Sequence, residues 1–227
     1  MGALADAGYH AYALDLPGHG FAAKGKNVEC SVPAYRKLLS GFVDSLNQKV
    51  FIAGTSLGGH VVASYAVENP SKVKGICLCG SMGLIPIGAE ARGRIQAGAN
   101  NQTKEGVAMK FTRVIHDQKL VTPDMVEEEF RINNSPGAKE SFATLGKYIA
   151  EKLDDDVVGE KLAASDIPVL LAWGDQDKTV PFTVGEQAAK LLPRSSFVRL
   201  EGAAHTPYYE KPEQFNAALL RFLDSHA

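Results

Sequence analysis

A serine between two glycines is the feature of this sequence that most suggests chemistry. Gly54-Thr-Ser-Leu-Gly58 follows a short apolar run and precedes a stretch with helical spacing, so Ser56 is predicted to lie on a sharp strand-to-helix turn. At the N-terminus of a helix, the helix dipole and free N–H groups favour negative charge. Gly54 and Gly58 have a predicted steric reason, because a turn that packs strand against helix leaves no room for Cβ atoms. The pentapeptide alone is a weak signal, and serine often only caps a helix. In this setting it predicts a nucleophile, with the Leu57 N–H as donor to a developing oxyanion.

The sequence also contains a histidine and an aspartate that could activate such a serine, and each follows a later apolar run. A serine hydroxyl is a poor nucleophile until a base removes its proton. Asp177 comes just after the run 168–173, and His205 just after the run 197–200. Because ligands bind at the carboxyl ends of the strands in open parallel sheets, Ser56, Asp177 and His205 are expected to converge on one edge.

The elements that must position these residues alternate along most of the chain. Buried strands are predicted at 9–15, 49–53, 73–79, 168–173 and 197–200, and helices at 32–46, 56–68, 183–192 and from 212 onward. This alternation is typical of an α/β fold, with a mostly parallel sheet flanked by helices and right-handed crossovers.

The stretch 81–166 breaks the alternation. It contains no strand candidate but several helical patterns, one through 107–115 and another with Pro123 at its first position. Because this stretch is too long for a loop, we predict a helical insertion that caps one edge of the sheet. The predicted domains are therefore a core of 1–80 and 167–227 and a cap of 81–166.

The composition is that of a globular protein and disfavours several partners. Of 227 residues, 45% are apolar and 22% charged, and 24 Lys and Arg nearly balance 26 Asp and Glu. A chain so close to neutral gives no reason to expect nucleic acid or an anionic membrane as partner. No apolar run approaches the roughly 20 residues of a membrane span, and the first residues lack a secretory signal pattern. We expect a small-molecule substrate and a cytoplasmic location.

Four motifs, in this order, resemble those of the α/β-hydrolase family. They are Asp15-Leu-Pro-Gly-His-Gly20, Gly54-Thr-Ser-Leu-Gly-Gly59, Gly174-Asp-Gln-Asp177 followed by Val180-Pro181, and Gly202-Ala-Ala-His205. The resemblance implies Ser56 as nucleophile, His205 as general base and Asp177 as the carboxylate that orients the imidazole. It also implies that the helical insertion is the cap that shapes the substrate pocket.

Two other residues compete for these roles. Asp175 is an alternative to Asp177, but the family pattern G-x-x-D selects the latter, and Asp175 is expected to cap a turn. His19 is an alternative to His205, but a histidine in a glycine-rich loop is more often positional than catalytic.

No metal or organic cofactor is expected. Cys77-x-Cys79 has no second pair of ligands elsewhere, so buried apolar thiols are predicted. The acidic run 154–156 lacks the loop pattern of a calcium site and is expected on a solvated surface.

The resemblance also implies strands that this sequence does not show. Family members have about three strands before the one predicted at 9–15, and a His-Gly-type loop after the third supplies a second oxyanion N–H. That strand would lie between 9–15 and 49–53, and its absence would leave a gap of roughly 4.8 Å. We therefore expect a natural N-terminus that lies upstream of Met1.

Three functions are compatible with these residues. The first is a serine hydrolase that cleaves a small ester or other acyl substrate through an acyl-enzyme. The second is a carbon–carbon bond hydrolase, because Val121–Arg131 and Asn134–Gly137 are loosely similar to the caps of meta-cleavage-product hydrolases. Those enzymes usually carry a tryptophan after the catalytic histidine, where this chain has Thr206. The third is a non-catalytic binding protein on the same scaffold, because a fold does not determine a function.

Overall fold

A parallel sheet of four strands lies at the centre of the computed structural model, which describes residues 1–227. The strands follow the chain order across the sheet: β1 (Val50–Thr55), β2 (Val73–Cys79), β3 (Val169–Gly174) and β4 (Ser196–Leu200). Thr55 lies opposite Cys79, which lies opposite Ala172, so β1 and β2 end together and β3 runs two residues further. The segments that leave these strands therefore start from one edge of the sheet.

Eleven α-helices connect and cover the strands. They are α1 (Gly2–Asp6), α2 (Val32–Ser45), α3 (Leu57–Glu68), α4 (Ala89–Asn100), α5 (Lys104–Val114), α6 (Pro123–Asn133), α7 (Ala138–Lys152), α8 (Gly159–Ala163), α9 (Phe182–Leu191), α10 (Pro207–Glu210) and α11 (Pro212–Asp224). Short 3-10 helices span Pro70–Lys72, Gln118–Leu120 and Leu153–Asp156. None of the helices is both long and apolar enough to cross a membrane.

Alternation of side chains along the strands divides the core between the two faces of the sheet. Ile76 and Leu78 of β2 pack into one cluster with side chains from α2, α3 and α9, whereas Cys77 and Cys79 pack into a second cluster with α11. The fold is therefore the predicted one, a mostly parallel sheet flanked by helices.

The prediction of a strand at 9–15 is wrong. Residues 9–15 have no regular secondary structure, and Tyr12 and Leu14 are 51% and 40% exposed. The sheet ends at β1, whose only partner is β2. An apolar run becomes a strand only where a neighbouring backbone supplies hydrogen bonds, and no strand lies beside this one.

Helices alone fill the long connection between β2 and β3, as predicted for residues 81–166, which we call the insertion. Its α7 and α8 share the core cluster of α2 and α3, whereas α5 and α6 form a separate small cluster of their own. The two ends of the insertion meet, because the Val158 N–H donates to the carbonyl of Gly83 at 2.8 Å. Its separation as a domain, and its role as a cap, stay predictions.

The acidic run at the end of the insertion is not simply a solvated surface, so that prediction is wrong for its first residue. The Asp154 carboxylate accepts from the N–H groups of Ile87 and Gly88, at 3.0 and 2.9 Å, and pairs with Arg92. Its side chain is only 16% exposed. Asp154 thus holds the segment that leads into α4, a contact that its neighbours in the sequence do not reveal.

Trp173 offers a test of packing on the sheet. A Cβ at Gly185 in α9 would lie 2.7 Å from the rigid indole of Trp173, whereas a Cβ at Gly41 in α2 meets nothing within 4 Å. Gly185→Ala is expected to lower the free energy of unfolding by about 1 kcal/mol, since overpacking costs roughly 1–3 kcal/mol and the helix regains up to about 1. Gly41→Ala, the matched control, is expected to raise it by about 0.5–1 kcal/mol.

The measurement is urea unfolding followed by the fluorescence of Trp173, the single tryptophan of the chain. Equal stabilisation by both substitutions would contradict the packing of α9 against β3 described here.

Candidate active site

Ser56 lies on the turn between β1 and α3 in a strained backbone conformation. Its φ and ψ are 56° and −121°, values that cost a non-glycine residue about 1–3 kcal/mol. Hydrogen bonds to the end of β2 hold it there: the Ser56 N–H donates to Cys79 at 3.0 Å, and the Met82 N–H donates to the Ser56 carbonyl at 3.1 Å. The Ser56 hydroxyl does not cap α3. It therefore remains available for other chemistry.

Two glycines allow this turn, but only one of them is the expected one. A Cβ at Gly54 would overlap the carbonyl of Gly58, so the predicted lack of space is found there. A Cβ at Gly58 meets nothing within 4 Å, and the second crowded position is Gly59, where a Cβ would overlap the hydroxyl of Ser81. The steric reason predicted for Gly58 is therefore wrong, and it applies to its neighbour.

Asp177 and His205 form a buried pair at the same edge of the sheet. Asp177 follows β3 and His205 follows β4, and the His205 Nδ1–H donates to Asp177 Oδ2 at 2.7 Å. The other oxygen of Asp177 accepts from the N–H groups of Thr179 and Val180 at 2.8 and 2.9 Å. The Asp177 side chain is 0% exposed and that of His205 is 7% exposed. An ionised carboxylate can only accept, so the pair puts a proton on Nδ1 and leaves Nε2 for proton transfer.

The end of β2 brings the serine turn and this pair together. Gly80, with a φ of +49°, follows the Cys79 carbonyl that holds Ser56, and a Cβ on it would lie 3.0 Å from His205 Nδ1 and 3.1 Å from Asp177 Oδ2. One short segment thus contacts both parts of the predicted triad. No hydrogen bond joins the Ser56 hydroxyl to His205 in this structure. In active sites of this kind, such a contact often forms only in the complex with substrate.

The two competing residues have other partners. Asp175 accepts from the guanidinium of Arg199 at 2.8 Å and from the Gly202 N–H at 2.9 Å, so it holds the turn after β4. Burial acts to raise the pKa of Asp175, but these hydrogen bonds outweigh it and the pKa is lowered. His19 contacts the carbonyl of Pro17 at 3.3 Å. Burial lowers the pKa of His19.

Two cavities lie near these residues, but Ser56, Asp177 and His205 line neither. The larger, of about 660 Å³, lies in the insertion, and most of its lining residues are of polar types: Asn100, Gln102, Thr103, Lys104, Glu105, Phe130, Asn133, Asn134, Lys139, Phe142 and Ala143. Its Phe142 packs edge-to-face on His19, with ring centroids 5.9 Å apart. The smaller, of about 210 Å³, is lined by Ala53, Gly54, Thr55, Cys77, Cys79, Tyr208 and Phe215.

The cysteines behave as the predicted buried thiols. Cys77 and Cys79 are free and 3% and 2% exposed, and burial raises the pKa of the Cys77 thiol to about 12. Burial also raises the pKa of Cys79. No group of three or more His, Cys, Asp and Glu side chains is placed to hold a metal ion.

Sequence reasoning missed a buried carboxylate beside His205. Glu210, at the end of α10, is 9% exposed and accepts from the Ala204 N–H at 2.7 Å. Its spacing of five residues from the histidine is the one available signal, and that spacing is not specific to any chemistry.

Comparison with known proteins identifies the family. The sequence profile of the alpha/beta hydrolase fold matches residues 1–212, and the chain belongs to this family. The family resemblance carried by the four sequence motifs is thereby confirmed.

Individual relatives differ in their named activities. The chain is 25% identical to a 2-hydroxy-6-oxononadienedioate/2-hydroxy-6-oxononatrienedioate hydrolase of Burkholderia vietnamiensis, over 97% of this chain and 78% of that protein. It is 26% identical to a pimeloyl-[acyl-carrier protein] methyl ester esterase of Neisseria meningitidis, over 93% of this chain and 81% of that protein. A solved meta-cleavage product hydrolase of Pseudomonas fluorescens has the same fold, with a TM-score of 0.81 and 20% identity over 94% of this chain and 79% of that one.

The Asp177–His205 hydrogen bond can be tested without an activity. A proton held between Nδ1 and a carboxylate gives a ¹H resonance far downfield of the amides. Asp177→Asn is expected to abolish that resonance, because an amide that donates to the ring favours the other tautomer. Asp175→Asn, the matched control, is expected to keep it, because Asp175 contacts Arg199 and Gly202 instead. The reverse result would show that His205 is paired with Asp175 and not with Asp177.

Proposed function

We propose that this chain is a serine hydrolase that cleaves a small ester or related acyl substrate through an acyl-enzyme. The observation that carries the proposal is the buried Asp177–His205 pair, which lies against the same segment of β2 that holds the strained Ser56 turn. Membership of the alpha/beta hydrolase fold family supports it. So does the likeness to an esterase that acts on a methyl ester.

In the first half-reaction Ser56 attacks the substrate carbonyl. His205 Nε2 takes the hydroxyl proton as the new C–O bond forms, and Asp177 stabilises the imidazolium through Nδ1–H. When the tetrahedral intermediate collapses, the bond to the alcohol breaks and His205 returns the proton to the departing oxygen. The acyl group is then an ester of Ser56.

In the second half-reaction water replaces the alcohol. His205 takes a proton from the water, whose oxygen attacks the acyl carbon, and the serine oxygen leaves with that proton. The products are the carboxylic acid and the regenerated enzyme, and no redox or metal-dependent step is needed.

The oxyanion of each tetrahedral intermediate is assigned to the backbone at the start of α3. Leu57 is the first residue of that helix, and the first N–H groups of a helix have no partner within it. The helix dipole adds to the stabilisation of negative charge at this point. An N–H donor of this kind is worth on the order of 10²–10³ in turnover.

A carbon–carbon bond hydrolase is the second candidate. It is favoured by the likeness to the Burkholderia protein, which is named for cleavage of a 2-hydroxy-6-oxo dienedioate. Thr206 argues against it, since those enzymes usually have a tryptophan there. In this chain both the N–H and the hydroxyl of Thr206 donate to the carbonyl of Val114, at 3.2 and 2.9 Å.

Labelling by a fluorophosphonate probe tests the nucleophile. The probe is expected to modify the chain once, and Ser56→Ala is expected to abolish both labelling and ester turnover, by on the order of 10⁴–10⁶-fold. Ser71→Ala, an exposed serine in a 3-10 helix, is the matched control and is expected to label normally. A folded protein that is never labelled would instead support a binding module on the hydrolase scaffold.

A substrate panel separates the two catalytic candidates. Among p-nitrophenyl esters of increasing chain length, the highest kcat/KM is expected for short acyl groups, with a burst of p-nitrophenol as the acyl-enzyme forms. A vinylogous diketone that carries a carboxylate is the competing substrate. If its kcat/KM exceeded that of every ester in the panel, the carbon–carbon hydrolase would replace the esterase as the proposed function.

A further inference from the structure

Both neighbours of His205 in the chain are fixed by hydrogen bonds that involve the insertion. On one side, Thr206 donates twice to the carbonyl of Val114 at the end of α5. On the other side, the Ala204 N–H donates to Glu210 Oε1 at 2.7 Å. The backbone on both sides of His205 is therefore held by groups outside its own loop.

The second oxygen of Glu210 reaches the insertion. Glu210 Oε2 accepts from the N–H groups of His116 and Asp117, at 2.6 and 3.2 Å, in the segment that follows α5. One buried carboxylate thus connects the residue before His205 to the insertion. A hydrogen bond to a charged acceptor is roughly twice as strong as a neutral one, so this link is a firm one.

We propose that Glu210 is a positioning residue for His205, through which the 116–117 segment of the insertion sets the imidazole against Ser56. This inference rests on the proposed function, in which His205 is the general base. One carboxylate oxygen accepts from Ala204 beside His205, and the other accepts from the insertion. A shift of the insertion therefore moves Glu210 and, with it, the backbone at Ala204. A displacement of 1 Å at a reacting group can reduce turnover by about 10²-fold.

Glu210→Gln removes one of the two connections, to Ala204 or to the 116–117 segment, without changing the size of the side chain. Its amide NH₂ cannot accept, so it must face either Ala204 or the 116–117 segment, whose N–H groups also donate. One of the two connections is lost in either orientation. The matched control is Tyr209→Phe, since the Tyr209 hydroxyl donates to the carbonyl of Leu120 at 3.2 Å and so links α10 to the insertion without contacting Ala204.

The test measures kcat and KM for p-nitrophenyl acetate, corrected for active sites by fluorophosphonate titration. In Glu210→Gln, kcat per labelled site is expected to fall by about 10–100-fold while KM changes little, because the base and not the binding pocket is misplaced. The downfield proton of His205 is expected to shift or broaden. Tyr209→Phe is expected to keep both properties of the unsubstituted chain.

A purely structural Glu210 would give a different result. The melting temperature and the fraction of labelled sites would fall, but kcat per labelled site and the downfield proton would stay unchanged, and the proposal would be overturned. If Glu210→Gln does not fold, Glu210→Asp keeps the charge on a shorter side chain and is judged by the same two readouts. If the unsubstituted chain neither labels nor turns over esters, the proposed function fails, but the downfield proton still decides whether Glu210 positions His205.

Discussion

The site depends on one backbone constraint, the parallel pairing that places the end of β2 beside the end of β1 and beside Ala172 of β3. At that point the Cys79 carbonyl accepts from Ser56, and the Gly80 N–H donates to Ala172 of β3. A peptide that is bonded on both sides cannot move without breaking the sheet. This fixed segment holds the strained φ of Ser56, and the Asp177–His205 pair packs against it at Gly80, where a Cβ would lie 3.0 Å from His205 Nδ1.

Sequence reasoning succeeded where burial and local chemistry agree. The strand 73–79 is found over the predicted residues, because every position except Lys74 is buried and most are apolar. The position of Asp177 and His205 after strands predicts that they lie at one edge, and the structure places them in contact there; their catalytic roles stay predictions. It failed at 9–15, where the pattern is that of a buried strand but no neighbouring strand completes the ladder. A strand forms only where a second strand pairs with it, and the sequence of one segment does not show whether that partner exists.

Long-range hydrogen bonds from carboxylates were the other features that the sequence could not reveal. Asp154 binds N–H groups 66 and 67 residues earlier in the chain, and Glu210 binds groups more than 90 residues earlier. The donors are backbone N–H groups, which every residue type except proline carries, so no side-chain pattern marks them. Gly59 was missed for a similar reason, because its crowding comes from Ser81 on another element.

The insertion is attached to both elements that present the proposed reacting groups. On the side of the nucleophile, His60 lies on α3 one turn after Ser56, is fully buried, and contacts the carbonyl of Asp156 at 2.8 Å. On the side of the base, Glu210 and Thr206 hold the segment after α5. Asp156 and Val114 lie at the end and in the middle of the insertion, so a movement of these helices acts on α3 and on the His205 loop together. The two halves of the proposed site are thus held separately, each by its own contact with the insertion.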